Sequence, residues 1–258
     1  MIGFQSLSDS PLRNTDSAVL PPGEERRNVW RVFYAPYGWL IFFPLFGLLT
    51  ALLGAIAIAV AKFSTRLSEW AAVAWGRGVC LLNFTLVRVK GREHVRPGQS
   101  YVILANHQSH FDIFTVYGHL NIPFRWVMKE ELRKAPFIGW YTSAAGHVFV
   151  DRSNQERARA SLETAKARLS NGLSVLFFPE GTRSLDGRLT PFKKGGFHTA
   201  LDLGLPILPV SISGTWKVLP CKTFKILPGN PTITIHPPID TKRFNHDRMD
   251  ELVAQTRA

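Results

Sequence analysis

An uncharged stretch of about 24 residues, from Gly38 to Ala61, constrains this chain more than any other feature. As a helix it is long enough to cross the ~30 Å hydrocarbon core of a bilayer. Basic residues flank it on both sides: Arg26, Arg27, Arg31, Lys62 and Arg66. Aromatic residues typical of a membrane interface cluster at its N-terminal end: Trp30, Tyr34, Tyr37 and Trp39. A buried core helix rarely needs so long an uncharged run, so we predict membrane insertion, with Pro44 and Gly47 as positions for a kink.

A second apolar segment, Leu67 to Val87, is interrupted by Glu69 and Arg77. On a helix these two charged residues point within about 80° of one another and leave a broad apolar face on the other side. We expect this helix to lie in the membrane interface or to pack back on the first helix. Spanning the bilayer and dipping into one leaflet both remain open. If the chain spans the membrane once, the basic residues that follow the first segment favour a cytosolic C-terminal domain.

From about Arg88 the pattern becomes globular, and short apolar runs alternate with helical patterns. Strands are predicted at 101–105, 148–150, 174–178, 207–212 and 232–235, and helices at 110–120, 156–169 and 196–203. Alternating strands and helices predict an α/β fold with a mostly parallel sheet flanked by helices. The chain therefore divides into a flexible polar N-terminus (1–33), a membrane-associated helical pair (34–87) and an α/β domain (88–258).

The chain is strongly basic, with a formal net charge of +12. An acidic membrane surface, a phosphorylated substrate or a merely solvated basic surface would each account for this charge. Nucleic acid is not expected as a partner, because there is no long basic run and no zinc-finger, RNP or basic-helix pattern. The two cysteines, Cys80 and Cys221, form neither a disulfide framework nor a metal box, so no metal is expected.

His107 and Asp112 follow the first predicted strand of the α/β domain. Ligands of α/β sheets bind at the carboxyl ends of strands. With His107 in the loop and Asp112 in the first helical turn, the carboxylate can reach one ring nitrogen and leave the other to accept a proton from a hydroxyl. The alternative is purely structural: Ser109 and Asp112 form a capping box and His107 is an ordinary loop residue.

Two further segments place charge at strand ends. Glu180, Gly181, Thr182 and Arg183 follow the strand at 174–178, and Arg152 follows the strand at 148–150. Exposed amides, a hydroxyl and a guanidinium suit a phosphate group, although a surface Glu–Arg pair in a turn would look the same. Lys129, Lys193 and Lys194 extend the positive set.

In this order the blocks resemble the glycerolipid acyltransferases of the 1-acylglycerol-3-phosphate acyltransferase family. The H-x4-D motif is matched by His107 and Asp112, the glycine–strand–arginine block by Gly146 to Arg152, and the E-G-T-R block by Glu180 to Arg183. The proline-bearing apolar strand is matched by 205–210. H-x4-D alone is weak, whereas four blocks in order over roughly 101–238 are specific.

The resemblance implies transfer of a fatty acyl group to the sn-2 hydroxyl of lysophosphatidic acid, giving phosphatidic acid. His107 would be the general base and Asp112 its orienting carboxylate. The substrate-binding residues would be Lys129, Arg152, Glu180, Gly181, Thr182 and Arg183. The acyl donor would be acyl-CoA or acyl carrier protein, with no cofactor. Membrane lipids would be partners, and the enzyme would sit on the inner (cytoplasmic) membrane with its active site facing the cytosol.

Two other functions are weighed against this one. A related acyltransferase could act on glycerol-3-phosphate or another lysolipid. A non-catalytic, membrane-anchored lipid-binding protein could keep the fold, although it would not need the His107–Asp112 pair. A serine hydrolase is disfavoured because Gly-x-Ser-x-Gly is absent from the sequence.

Overall fold

The computed structural model describes residues 30, 32–61, 63–135, 138–151 and 172–258. The predicted polar N-terminus up to residue 29, the helix predicted at 156–169 and Arg152 lie outside these residues. Seven helices are labelled in the described residues: α1 Phe43–Ala61, α2 Thr65–Leu82, α3 Phe111–His119, α4 Ile138–Ala144, α5 Gly195–Leu203, α6 Thr215–Val218 and α7 Met249–Arg257. Short 3₁₀ helices lie at Arg92–His94, Glu130–Lys134, Thr241–Arg243 and His246–Arg248.

The sheet has seven strands within the described residues, in the order β1-β7-β6-β2-β5-β3-β4. They are β1 Arg88–Lys90, β2 Val102–Ala105, β3 Phe124–Lys129, β4 Val148–Val150, β5 Ser174–Phe177, β6 Ile207–Ser213 and β7 Thr232–Ile235. Every neighbouring pair is parallel except β6 and β7, which are antiparallel. The prediction of a mostly parallel α/β sheet flanked by helices is confirmed, and the five predicted strands agree within about one residue at each end.

Alternate residues of the central strand β2 point to the two faces of the sheet. Ile103 and Ala105 pack with Val116 and Leu120 on the α3 side. Val102 and Leu104 pack instead with residues of α5 and α7, such as Phe197 and Leu252. Every residue of β2 is buried, which is why its sequence reads as a continuous apolar run.

The first apolar segment forms a helical stretch over Val32–Ala61 that is long and apolar enough to cross a membrane. Only 11% of the most apolar part of this helix is buried inside the protein. A core helix would be mostly covered, so this exposure favours a lipid surround. A π-helical turn lies at Gly38–Phe42, just before Pro44, and the predicted kink stays a prediction. Because proline has no N–H and crowds the carbonyl four residues earlier, a widened turn is expected on its N-terminal side.

The second apolar segment packs back on the first, as one of its two predicted arrangements requires: the Trp75 indole nitrogen donates to Thr50 Oγ1 at 3.0 Å. Both charged residues face the α/β domain. Arg77 Nε donates to Gly118 O at 2.8 Å, and Glu69 pairs with the buried Arg125 at 2.7 Å. Helix α2 therefore lies between the apolar helix and the sheet domain. The boundaries at residues 33 and 87 stay predictions.

Gly76 and Gly118 allow α2 and α3 to touch backbone to backbone. A Cβ atom built on Gly76 would lie 2.6 Å from Gly118 N and from Phe114 O. Contacts under about 3 Å are excluded for carbon, so any larger residue at position 76 must push the two helices apart.

Candidate active site

The loop after β2 and the first turn of α3 bring His107 and Asp112 together. His107 Nδ1 lies 2.7 Å from Asp112 Oδ2, and the Asp112 side chain is fully buried. The same carboxylate oxygen accepts hydrogen bonds from Gln108 N at 2.7 Å and Ser109 N at 2.9 Å. Because an ionised carboxylate only accepts, Nδ1 carries the proton and the lone pair of the imidazole is on Nε2.

The predicted capping box forms only in part, and it coexists with the His–Asp pair. The Asp112 carboxylate accepts from Ser109 N at 2.9 Å, as the box requires, but Ser109 Oγ accepts from Phe111 N at 3.0 Å and not from Asp112 N. The N-cap residue of α3 is His110, which has no side-chain cap hydrogen bond. One carboxylate therefore supports the turn that leads into the helix and also holds the imidazole. Ser109 Oγ also donates to Leu219 O, which leaves it committed to the backbone rather than poised as a nucleophile.

The imidazole of His107 stacks face to face on Phe178, with ring centroids 3.9 Å apart and an interplanar angle of 5°. The ring centroids of Phe178 and Trp126 lie 5.1 Å apart, so Phe178 also contacts Trp126. Phe178 directly follows β5, the parallel neighbour of β2, so the two strand ends place the rings side by side. The stack and the Asp112 bond fix the orientation of His107, and the π-face favours a positive charge on the imidazole.

Glu180 ties the loop that carries His107 to the loop after β5. Its buried carboxylate accepts from His107 N at 2.6 Å through one oxygen, and from Thr190 N and Oγ1 at 2.9 and 2.6 Å through the other. Ser184 N donates to His107 O at 2.8 Å from the same loop. Glu180 was predicted among the substrate-binding residues. Its hydrogen bonds go to His107 and Thr190, so its carboxylate positions the His107 loop. A carboxylate would also repel the negative charge of a phosphate group.

The rest of the predicted phosphate set lies at the same edge of the sheet where the structure describes it. Gly181 has φ +74°, and a Cβ there would lie 3.0 Å from the Cε and Nζ atoms of Lys193, so glycine lets the lysine lie against the turn. Lys129 ends β3 and is exposed. Lys194, by contrast, pairs with Asp250 of α7 at 2.6 Å. The phosphate-binding roles of Lys129, Gly181, Thr182 and Arg183 remain predictions.

Arg183 acts electrostatically on the H-x4-D loop. Partial burial, then the charges of Arg183 and His107, lowers the pKa of His110, while Asp112 opposes the shift. The positive charge of Arg183 therefore disfavours a second positive charge on His110. The same field attracts an anionic group to the loop.

His147, which the sequence placed near the site without a role, belongs to the core. Its Nδ1 accepts from Trp126 N at 2.9 Å, so Nε2 carries the proton and donates to Tyr117 Oη at 3.0 Å. Burial, and then the charge of Arg125, lowers its pKa to about 3. Among the described residues, no group of three or more histidine, cysteine or carboxylate side chains could hold a metal ion.

Two contacts of the site were not predicted. Thr190 stands ten residues after Glu180 in a polar stretch without a motif, so no sequence signal marks it. Phe178 precedes the E-G-T-R block, and an aromatic residue just past a strand that ends at a site could have been noticed.

Comparisons with known proteins show which class of protein has this sequence pattern and this fold. The family model described as Acyltransferase matches residues 86–213, which include both the His107–Asp112 loop and the Glu180–Arg183 loop. In structure, the chain is similar to the crystal structure of the 1-acyl-sn-glycerophosphate (LPA) acyltransferase, PlsC, from Thermotoga maritima. The TM-score is 0.71 at 28% sequence identity, over 89% of this chain and 93% of that one.

Sequence relatives narrow the class. A 1-acyl-sn-glycerol-3-phosphate acyltransferase from Chlamydomonas reinhardtii is 31% identical over 260 residues, which cover 100% of this chain and 77% of that protein. Relatives of the same name from Limnanthes douglasii and Salmonella typhimurium are 38% and 32% identical, over 59% and 64% of their own lengths. The chain belongs to the 1-acyl-sn-glycerol-3-phosphate acyltransferase family, as its motifs predicted.

Proposed function

We propose that this protein transfers a fatty acyl group from acyl-CoA or acyl carrier protein to the sn-2 hydroxyl of 1-acylglycerol-3-phosphate, giving phosphatidic acid. The observation that carries the proposal is the His107–Asp112 pair, held at 2.7 Å at the carboxyl end of the central strand. Relatives that are 31% and 32% identical to this chain bear the name of the enzyme of this reaction.

The chemistry proceeds without a covalent acyl-enzyme. His107 Nε2 takes the proton of the acceptor hydroxyl as its oxygen attacks the thioester carbonyl. The tetrahedral intermediate collapses, the carbon–sulfur bond breaks, and the leaving thiolate takes up the proton from the imidazolium. A carbon–oxygen ester bond has then formed, and His107 is neutral again. Asp112 and the face of Phe178 stabilise the transient imidazolium from two directions.

A phosphomonoester on the acceptor suits the charge beside this loop. Arg183 supplies a guanidinium near the H-x4-D loop, and Gly181, Thr182 and Lys129 extend the binding set at the same edge. Arg152 completes the set implied by the family motifs.

The apolar helix Val32–Ala61 supports association with a membrane. Both acceptor and product are lipids while the donor is water-soluble, so the active site belongs at the height of the headgroups. We infer that the protein sits on the cytoplasmic face of the inner membrane, with the basic residues after the apolar helix on the cytosolic side.

An acceptor panel tests the proposal. Full-length protein in lipid–detergent micelles is given labelled acyl-CoA or acyl carrier protein with lysophosphatidate, glycerol-3-phosphate, lysophosphatidylcholine or monoacylglycerol. We expect labelled phosphatidate from lysophosphatidate alone at a high rate, and its loss in the His107→Ala variant. Monoacylglycerol is the matched control, because it lacks only the phosphate. Faster acylation of any other acceptor would overturn the assignment, and no transfer by a folded protein would favour a lipid-binding role.

A further inference from the structure

Four exposed apolar side chains from three separate segments gather at the N-terminal end of the apolar helix. They are Trp39, Phe84, Leu86 and Phe224, and between 60% and 71% of each residue is exposed. We call this set the apolar rim. Phe84 and Leu86 lie between α2 and β1, and Phe224 follows α6, so the α/β domain contributes Phe224 to the set.

Ring contacts join the rim to the helix. Phe224 lies 6.1 Å from both Trp39 and Phe43, and Phe84 lies 5.5 Å from Tyr37. Leu86 N donates to Gly229 O at 3.0 Å, which ties the second segment to the third.

The base of the Phe224 segment is equally fixed. Ile226 is buried in one core cluster with Phe42, Val79 and Phe111, which come from the apolar helix, α2 and α3. The segment that carries Phe224 is therefore packed against the helix that carries the membrane-length apolar surface.

The backbone is strained at Phe84 of the rim and at Lys222, two residues before Phe224. Among the described residues, three non-glycine residues have positive φ: Phe84 at 50°, Asn121 at 58° and Lys222 at 59°. Asparagine tolerates this conformation, whereas phenylalanine and lysine rarely adopt it. Strain of this kind persists where the surroundings impose it, and it is concentrated at functional positions. Here it turns an aromatic ring outward in one segment and shapes the turn before Phe224 in the other.

Charge accompanies the exposed rings. Lys222 and Lys225 flank Phe224, and both are exposed. An aromatic ring between two lysines fits the boundary of an anionic bilayer, where rings lie among the headgroups and ammonium groups meet lipid phosphates. The exposed rings also adjoin a helix whose most apolar stretch is only 11% buried. A surface that binds a protein partner would not need to adjoin such a helix, whereas a surface that binds lipid would.

We propose that the segments 84–86 and 222–225 enter the headgroup layer of an anionic bilayer beside the apolar helix, so that the α/β domain itself contacts lipid. The inference rests on the membrane association proposed above and adds a second, separate site of contact. The turn after His107 is joined to the stretch that leads into the second segment, because Ser109 Oγ donates to Leu219 O, five residues before Phe224.

Site-specific quenching tests the contact directly in the full-length chain. An environment-sensitive dye is attached through Phe224→Cys in a Cys221→Ser background, where the remaining Cys80 is buried. Leu48→Cys, on the apolar helix, is the positive control. Lys242→Cys is the matched exposed control, because the 3₁₀ helix at 241–243 lies at the opposite edge of the sheet, where Thr241 bonds to Leu205 O. The proteins are reconstituted in equal mixtures of phosphatidylcholine and phosphatidylglycerol with brominated acyl chains.

We expect quenching at position 224 between that at 48 and that at 242. Quenching at position 48 without quenching at position 224 would overturn this inference and leave membrane association standing. Absence of quenching at both positions would overturn this inference and the proposed membrane association together.

A charge-reversal variant gives an independent readout. Lys222→Glu/Lys225→Glu should lose most of the stimulation that phosphatidylglycerol gives to acylation of bilayer-embedded acceptor, by about fivefold for each lysine removed from the surface. Activity on a short-chain soluble acceptor should be unchanged, and Lys242→Glu should behave as wild type. An unaltered response to phosphatidylglycerol in the double variant would refute the role of the two lysines.

Discussion

Replacing Asp112 by asparagine separates the two tasks of this carboxylate. One oxygen accepts three hydrogen bonds, from His107 Nδ1, Gln108 N and Ser109 N. The other oxygen is buried and has no hydrogen-bond partner among the described residues. An asparagine oxygen can still accept at the first position, but its amide must then occupy the second. A buried donor without an acceptor costs about 1–3 kcal/mol, so we expect Asp112→Asn to lower the free energy of unfolding by that amount.

The effect of Asp112→Asn on turnover should be larger than this loss of stability. A neutral amide still orients the imidazole but cannot offset the charge that His107 gains when it takes the proton. Positioned general bases contribute ~10²–10⁴ in rate, and we expect kcat to fall by at least ~10². KM for both substrates should change little, because Asp112 is fully buried and touches neither.

A double-mutant cycle decides whether Asp112 acts through His107. Initial rates are measured with lysophosphatidate and acyl-CoA for the wild type, His107→Ala, Asp112→Asn and the double variant, with circular dichroism to establish folding. If the residues form one unit, Asp112→Asn should reduce the residual rate of His107→Ala little further. Multiplicative losses, or a folded Asp112→Asn enzyme with near-normal kcat, would refute the proposed pairing.

Four other perturbations follow from the site and the fold. Arg183→Ala should raise KM for lysophosphatidate by about 10- to 150-fold, through loss of a charge-assisted contact of roughly 1.5–3 kcal/mol, with the donor KM unchanged. Glu180→Gln should lower both kcat and Tm, because the new amide must face a backbone donor of His107 or of Thr190. Since the pKa of His147 is about 3 when folded against 6.5 ordinarily, its contribution to stability is complete above pH 6.5 and is lost as the pH falls, by up to about 1.4 kcal/mol per pH unit. His147→Asn should flatten that acid limb in thermal melts. Full-length protein should remain in the membrane fraction after a high-salt wash, since insertion of an apolar helix is not screened by salt.

Controls make these outcomes specific. Arg188→Ala is the match for Arg183→Ala, because Arg188 lies in the same loop region with its side chain 89% exposed and paired with Asp186. An equal rise in KM for both variants would mean general electrostatics rather than a binding contact. Release of the full-length protein by salt alone would argue against an inserted helix, and an unchanged acid limb in His147→Asn would show that other groups set it.

Local patterns were sufficient to predict the strands that lie in the middle of the sheet. Residues 102–105 and 207–210 are buried on both faces, so their apolar runs are continuous. The His107–Asp112 contact was also predictable, since it joins a strand end to the first turn of the next helix. Contacts within one loop depend on few residues, and those residues are adjacent in sequence.

Elements that depend on distant partners were missed. Strand β3, Phe124–Lys129, carries Arg125 in its interior, and that charge is accommodated by Glu69, which is 56 residues earlier. The short charged strand β1, Arg88–Lys90, is held by pairing with β7 at the other end of the chain. The inward role of Glu180 likewise depends on Thr190 and His107 together, and a motif cannot show which way a side chain turns.

The backbone contact between Gly76 and Gly118 joins the two halves of the molecule at one point without any side chain that could change rotamer there. Asp112 lies in the first turn of α3, the helix on the other side of this contact. We therefore expect a displacement of α2, for instance by the lipid around the apolar helix, to be passed on to α3 and to the His107–Asp112 pair.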